Sequence, residues 1–152
     1  MKKTIFFVVS LLCIGVFACA KGTSEQKIQN NTEKQAMNFI IGGKTYKAVI
    51  NNNKTSQDIM NNLPLSLNYV RYAKHEYYAE LPFKPVFDKE RTSHILAGHL
   101  YYWDGWNAFV INYKECDISP YKVVHIGEIE DKSIVKFLEI ADKNITIEVK
   151  NR

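Results

Sequence analysis

A mainly β domain with two short helices is the fold class this sequence predicts, on three observations. The stretch GHLYYWDGWNAFVINYK, Gly98 to Lys114, flanks an Asp-Gly pair with β-prone and aromatic residues on both sides, which is the mark of a tight hairpin. Further β-prone runs bounded by turn signals recur before and after it. Helical spacing of apolar residues occurs in two short segments. At 152 residues, 46% hydrophobic and 24% charged, the chain suffices for one domain with a core and is too short for two.

The first segment is read as an address. Met1 to Ala18 has Lys2 and Lys3 as a positive start, the apolar run TIFFVVSLLCIGVF, and a small residue before Cys19, which are the parts of a signal peptide (residues 1–18). The run is short for a transmembrane helix and carries Gly15 near its end. Val16-Phe17-Ala18-Cys19 resembles a bacterial lipoprotein box, in which Cys19 is lipidated and becomes the mature N-terminus. Ala18-Cys19-Ala20 also fits ordinary signal peptidase, which would release a soluble product starting at Lys21. Residues 19–36, polar and without periodicity, read as a flexible linker standing the domain off a membrane. The expected location is therefore the cell envelope, with Ala20 after the cysteine fitting the outer membrane, facing the periplasm. A soluble periplasmic or secreted product is the alternative.

Residues 37–152 form the domain. Met37 to Ile50 holds two β-prone runs around Gly42-Gly43 and predicts a hairpin. Thr55 with Asp58 three residues on predicts the start of a short helix carrying Ile59, Met60 and Leu63 on one face, and Pro64 ends it. Leu65, Leu67 and Tyr69 alternate with polar positions, the period of a half-buried strand. A return strand follows through Tyr77, Tyr78 and Leu81, and the charged run Asp88 to Arg91 reads as a solvated loop. In the Gly98–Lys114 hairpin, a two-residue turn at Asp104-Gly105 would set Trp103 opposite Trp106, Tyr101 opposite Ala108 and Leu100 opposite Phe109. Tyr121 to Ile129 is a further strand. Asp131 caps a helix with Ile134, Phe137, Leu138 and Ala141 in one stripe, and Asn144 to Lys150 alternates as the closing strand.

Several function classes find no support. The formal charge of +4 includes Lys2 and Lys3, and the remaining basic residues are dispersed, so nucleic-acid binding is not expected. Cys116 is the lone thiol of the domain and reads as a partly buried small residue. His75, His94, His99 and His125 show no ligand spacing, so no metal is expected. No cofactor motif, carboxylate pair or nucleophile elbow is present.

The order of Gly43-Lys44-Thr45, Thr55-x-x-Asp58, Asn62-Leu63-Pro64-Leu65, Glu76 ahead of Leu81-Pro82-Phe83, Gly98-x-Leu100-x-Tyr102-Trp103, Asn107 to Lys114, Ser119-Pro120 and Ile126-Gly127-x-Ile129 resembles the small bacterial cyclophilin-like β-barrel domains, over about Phe39 to Val149. The resemblance implies a closed or nearly closed barrel of about eight strands with two helices at its openings, which leaves few sheet edges free. It also raises peptidyl-prolyl isomerisation as an alternative function, with Arg71 as the candidate catalytic arginine. The Phe-His-Arg and Gln-Gly-Gly runs of true cyclophilins are absent here. The expectation is a binding or accessory module for a peptide or small ligand. Its groove candidates are Tyr72, Tyr102, Trp103, Trp106 and Phe109, with Trp103 and Trp106 at the hairpin tip and Arg71 nearby forming one wall.

Overall fold

Ten strands and two helices follow one another along residues 35–152, the part of the chain that the computed structural model describes. The export segment at 1–18, the lipidation at Cys19 and nearly all of the linker lie outside the described residues. β1 (Gln35–Ile41) begins two residues inside the stretch read as linker, because Gln35 and Ala36 pair with Ile50 and Val49 of β2 (Lys44–Ile50). The turn between them is Gly42-Gly43, as the hairpin reading expects.

Eight strands close on themselves. The order is β1, β10 (Asn144–Asn151), β3 (Leu65–Tyr72), β4 (Glu76–Glu80), β7 (Ala108–Asn112), β6 (His99–Trp103), β9 (Val124–Ile129), β2, and every neighbour is antiparallel. Two very short strands, β5 (His94–Ile95) and β8 (Cys116–Asp117), pair with each other outside the barrel. Closure leaves no long edge to pair with another chain.

Alternation decides what fills the barrel. Phe39, Tyr46, Tyr69, Tyr77, Leu100, Tyr102, Phe109, Ile126 and Ile147 point inward and share one core. Two helices plug it: α1 (Lys54–Asn61) contributes Ile59, and α2 (Ser133–Ile140) contributes Ile134 and Leu138, all fully buried. Each such aliphatic contributes about 1.5–3 kcal/mol. The cap position of α2 falls on Lys132, one residue beyond the Asp131 that the sequence predicts, and Asp131 Oδ1 still accepts from the Ser133 amide at 2.9 Å. β6 and β7 are buried on both faces, because Ile95, Tyr101, Ala108, Val110 and Val123 make a second, smaller core against the barrel's outer wall. That is why the central stretch carries no polar face.

Close backbone approach fixes Gly127. A methyl group there would lie 2.3 Å from the Val49 carbonyl oxygen, beside a register shift between Leu100 and Tyr101.

The structure corrects two local expectations. The hairpin tip is not a two-residue turn: Asp104–Trp106 form a turn of 3₁₀ helix and Asn107 takes the left-handed conformation, φ 50° and ψ 40°. The register therefore slips by two, so Trp103 pairs with Ala108, Tyr102 with Phe109, Tyr101 with Val110 and Leu100 with Ile111. Tertiary bonds outweigh the local Asp-Gly preference. Asn107 Nδ2 donates to the carbonyls of Leu81 and Phe83, each at 2.9 Å, and its Oδ1 accepts from the Tyr102 hydroxyl at 2.9 Å. Gly105 is needed for room, since a Cβ there would sit 2.9 Å from the Trp103 ring. The first helix is capped by Asn53, whose Oδ1 accepts from the Ser56 amide, and not by Thr55. Thr55 and Asp58 instead hold the loop beyond β4. Thr55 Oγ1 donates to the Val86 carbonyl and accepts from the Asp88 amide, while Asp58 accepts from the Val86 amide.

Candidate functional site

The four-residue tip throws Trp106 onto the outer wall of the barrel. There it meets Tyr72, which follows Arg71 at the end of β3 and so points the opposite way, outward. Tyr72 and Trp106 have ring centroids 5.1 Å apart at 75°, Trp106 and Trp103 are 4.5 Å apart at 54°, and Trp103 and Tyr121 are 6.1 Å apart at 67°. These neighbouring rings form an arc of four along a groove of about 400 Å³, in the sense that each touches the next and all line the same concavity. Val110, Ile118 and Val123 line its apolar part, and His75 and Glu76, at the turn into β4, line its polar part. Tyr72, Trp106 and Tyr121 remain 47%, 41% and 62% exposed.

Glu76 is an outward-facing residue directly opposite Asn112 in the β4–β7 register. Its side chain is only 15% exposed, and burial raises its pKa above the usual carboxylate range, against the opposing pull of His75. His75 Nε2 lies 3.4 Å from Glu76 Oε2, while His75 Nδ1 lies 3.0 Å from the Ala73 carbonyl. A carbonyl only accepts, so Nδ1 carries a proton and Nε2 is the atom left facing the carboxylate. Asn112 is buried, and neither of its amide atoms meets a protein partner.

Of the sequence candidates, Tyr72, Trp103 and Trp106 lie together on this groove. The others do not. Tyr102 and Phe109 point into the barrel and are fully buried in its core. Arg71 shares the inward face of Leu67 and Tyr69 and reaches across the barrel opening to the C-terminal end of α2. Its Nη2 donates to the carbonyls of Leu138 at 2.8 Å and Ala141 at 2.6 Å, and its Nη1 to that of Glu139 at 3.1 Å and to the Tyr113 hydroxyl at 3.3 Å. The guanidinium also lies over the rings of Tyr77 and Tyr113, 4.9 and 5.2 Å from their centroids. It braces a helix end and forms no wall of the groove. His75, Glu76 and Tyr121, which sequence reasoning does not assign to a groove, complete the lining. The strand period alone sends Glu76 outward when Tyr77 goes inward.

Other reactive groups are structurally engaged. Burial, then the carboxylates of Glu76 and Asp117, push the Cys116 thiol up from its usual pKa, which disfavours the thiolate. His125 bridges Asn51 and His99: Asn51 Nδ2 lies 3.1 Å from its Nδ1, and its Nε2 lies 3.0 Å from His99 Nδ1 and 3.0 Å from the Gly127 carbonyl. Among the described residues no cluster of three or more His, Cys, Asp or Glu is placed to hold a metal, and no helix is long and apolar enough to cross a membrane. A second, polar depression of about 810 Å³ lies on the far side of Tyr101, lined by Asn51, Asn52, Asn53, Arg91 and His125.

Comparison with curated proteins finds no match. Among solved structures, the chain is similar to the solution structure of a hypothetical protein from Archaeoglobus fulgidus, with a TM-score of 0.60, 17% identity, and coverage of 78% of this chain and 95% of that one. At that identity the likeness concerns the fold. The family model described as the Cyclophilin-like family matches residues 39–150, from the fifth residue of β1 almost to the end of the closing strand; with the closed barrel and its two helical plugs, this chain belongs to the Cyclophilin-like family.

Proposed function

We propose that this chain is a cell-envelope lipoprotein, anchored through a lipid on Cys19 and facing the periplasm from the outer membrane, whose barrel is a binding or accessory module for a peptide or small ligand. The observation that carries the binding part is the exposure of Tyr72, Trp106 and Tyr121 around one concavity. Three such rings, each about half uncovered, leave on the order of 300 Å² of aromatic surface in water. At about 25 cal/mol per Å², covering it would return up to roughly 7 kcal/mol before the costs of association. Affinities from high micromolar to millimolar are the expected range for a small ligand.

Binding is favoured over turnover. The thiol of Cys116 is held in its protonated form, and the arginine that a prolyl isomerase would use is occupied at the end of α2. Tryptophan fluorescence titrated with proline-containing peptides and small hydrophobic solutes tests the groove, since both tryptophans of the chain line it. A saturable change lost in Trp106→Ala is expected. A flat response to every probe would remove the binding reading, and a proline-peptide isomerisation rate that collapses in Arg71→Ala would restore the enzyme alternative. Acyl mass on Cys19 and recovery in the detergent phase test the anchor, and a product starting at Lys21 would contradict it.

A further inference from the structure

We propose that the groove selects small ligands bearing a quaternary or alkylated ammonium head, seated on the Tyr72–Trp106–Trp103–Tyr121 arc with Glu76 as its counter-charge. This deepens the binding-module reading and rests on it.

The faces of aromatic rings carry the negative part of their quadrupole, so rings tilted into an arc present a surface that attracts cations within about 6 Å. Successive rings are tilted by 75°, 54° and 67°, so they do not form a flat stack, and all four line one concavity. Charge selects in the same direction. Glu76 and His75 are the ionisable side chains other than tyrosine among the described residues lining the groove, and neither lysine nor arginine is among them. An anionic ligand would meet a carboxylate and ring faces with no lysine or arginine to pair with.

Glu76 meets no lysine or arginine. Its outward neighbour across the strands is the neutral Asn112, and its one charged contact is His75, through the Nε2 atom at 3.4 Å. His75 Nδ1 is committed to the Ala73 carbonyl, so only Nε2 is turned toward the carboxylate. A ligand cation adds countercharge to a carboxylate whose side chain is only 15% exposed, where incomplete compensation is costly. An alkylated ammonium suits the rest of the lining better than a bare one, because its methyl groups can be covered by Val110, Ile118 and Val123 at little desolvation cost. The groove volume, about 400 Å³, falls at the lower end of ligand pockets and admits such a head with a short chain attached.

The test titrates the full chain with choline and with its uncharged carbon isostere, 3,3-dimethyl-1-butanol, following tryptophan emission. Choline is expected to bind about tenfold or more tightly than the isostere, with the gap narrowing as sodium chloride is raised. Glu76→Gln should weaken choline several-fold, the ring faces keeping part of the preference, and leave the isostere unchanged, whereas Trp106→Ala should weaken both. Near-UV circular dichroism checks that the variants fold, and the wild-type comparison and its salt dependence decide the matter if Glu76→Gln does not. Equal binding of the two probes by the wild type would overturn the cation preference and leave the groove reading standing. No response to either would overturn it too, and the peptide and hydrophobe titrations would then judge the groove on their own.

Discussion

Replacing Arg71 by methionine keeps an apolar stem over Tyr77 and Tyr113 and deletes the guanidinium. Three carbonyls at the end of α2, those of Leu138, Glu139 and Ala141, then lose a charged donor where the helix dipole concentrates negative charge. A hydrogen bond to a charged group contributes about 1.5–3 kcal/mol, but these three share one guanidinium and the Glu139 contact faces solvent, so they do not add. The Tyr77 hydroxyl, 2.7 Å from the Asp142 carbonyl and 3.3 Å from that of Ala141, retains part of the brace. A loss of about 2–4 kcal/mol follows, equivalent to a urea midpoint lower by roughly 1–2 M. Arg71→Lys should recover less than half, because an ammonium cannot span the same acceptors. Urea unfolding gives the stability, and the fluorescence titration of the groove runs alongside it. A loss under about 0.5 kcal/mol, or a groove that stops binding in an otherwise stable variant, would refute the assignment of Arg71 to the fold.

Two further perturbations test the framework. Gly127→Ala forces a methyl against the Val49 carbonyl, and backbone must move to admit it; a loss of about 3 kcal/mol or more, seen as a melting temperature lower by roughly 10 °C, is expected, and a change below about 1 kcal/mol would contradict the close approach. Acid should weaken the barrel through its histidine pair. Burial lowers the pKa of both His99 and His125, with His125 and Lys132 adding to the effect on His99, Glu128 opposing it for both, and the Gly127 carbonyl opposing it for His125. Below the ordinary histidine value near 6.5 the unfolded chain therefore binds protons that the native state does not, and stability falls as pH falls, by up to about 1.4 kcal/mol per unit for each histidine. Glu76, with its raised pKa, acts in the opposite sense at the acid end, so the difference between wild type and the His99→Gln, His125→Gln double variant isolates the pair. A difference that is flat from pH 7 to 5 would contradict this linkage.

The parts of the fold legible in the sequence are those that one period decides. The Gly42-Gly43 hairpin, the stripe of Ile134 and Leu138, and the alternation of the last strand all obey a local rule that packing reinforces. The hairpin tip escaped because Asn107 answers to Leu81 and Phe83, more than twenty residues back in the chain. Thr55 escaped for the same reason, its hydroxyl serving a loop rather than its own helix. Tyr102 and Phe109 are groove candidates by residue type and lie in the core; β6 and β7 are apolar on both faces, and such strands do not announce which side is the core. Arg71 is different. The run Leu67, Tyr69, Arg71 sends the arginine inward by alternation alone, toward the end of α2 and away from the outer groove.

Two indole N–H groups exist in the chain, one on Trp103 and one on Trp106, and both belong to the groove, so their nitrogen–proton resonances report on it with no background. Adding choline to labelled full-length protein should shift both, together with the amides of Tyr72, Glu76 and Tyr121. Shifts confined to the polar depression around Asn51 and His125, or indole signals unmoved at saturating ligand, would contradict a ligand seated on the aromatic arc.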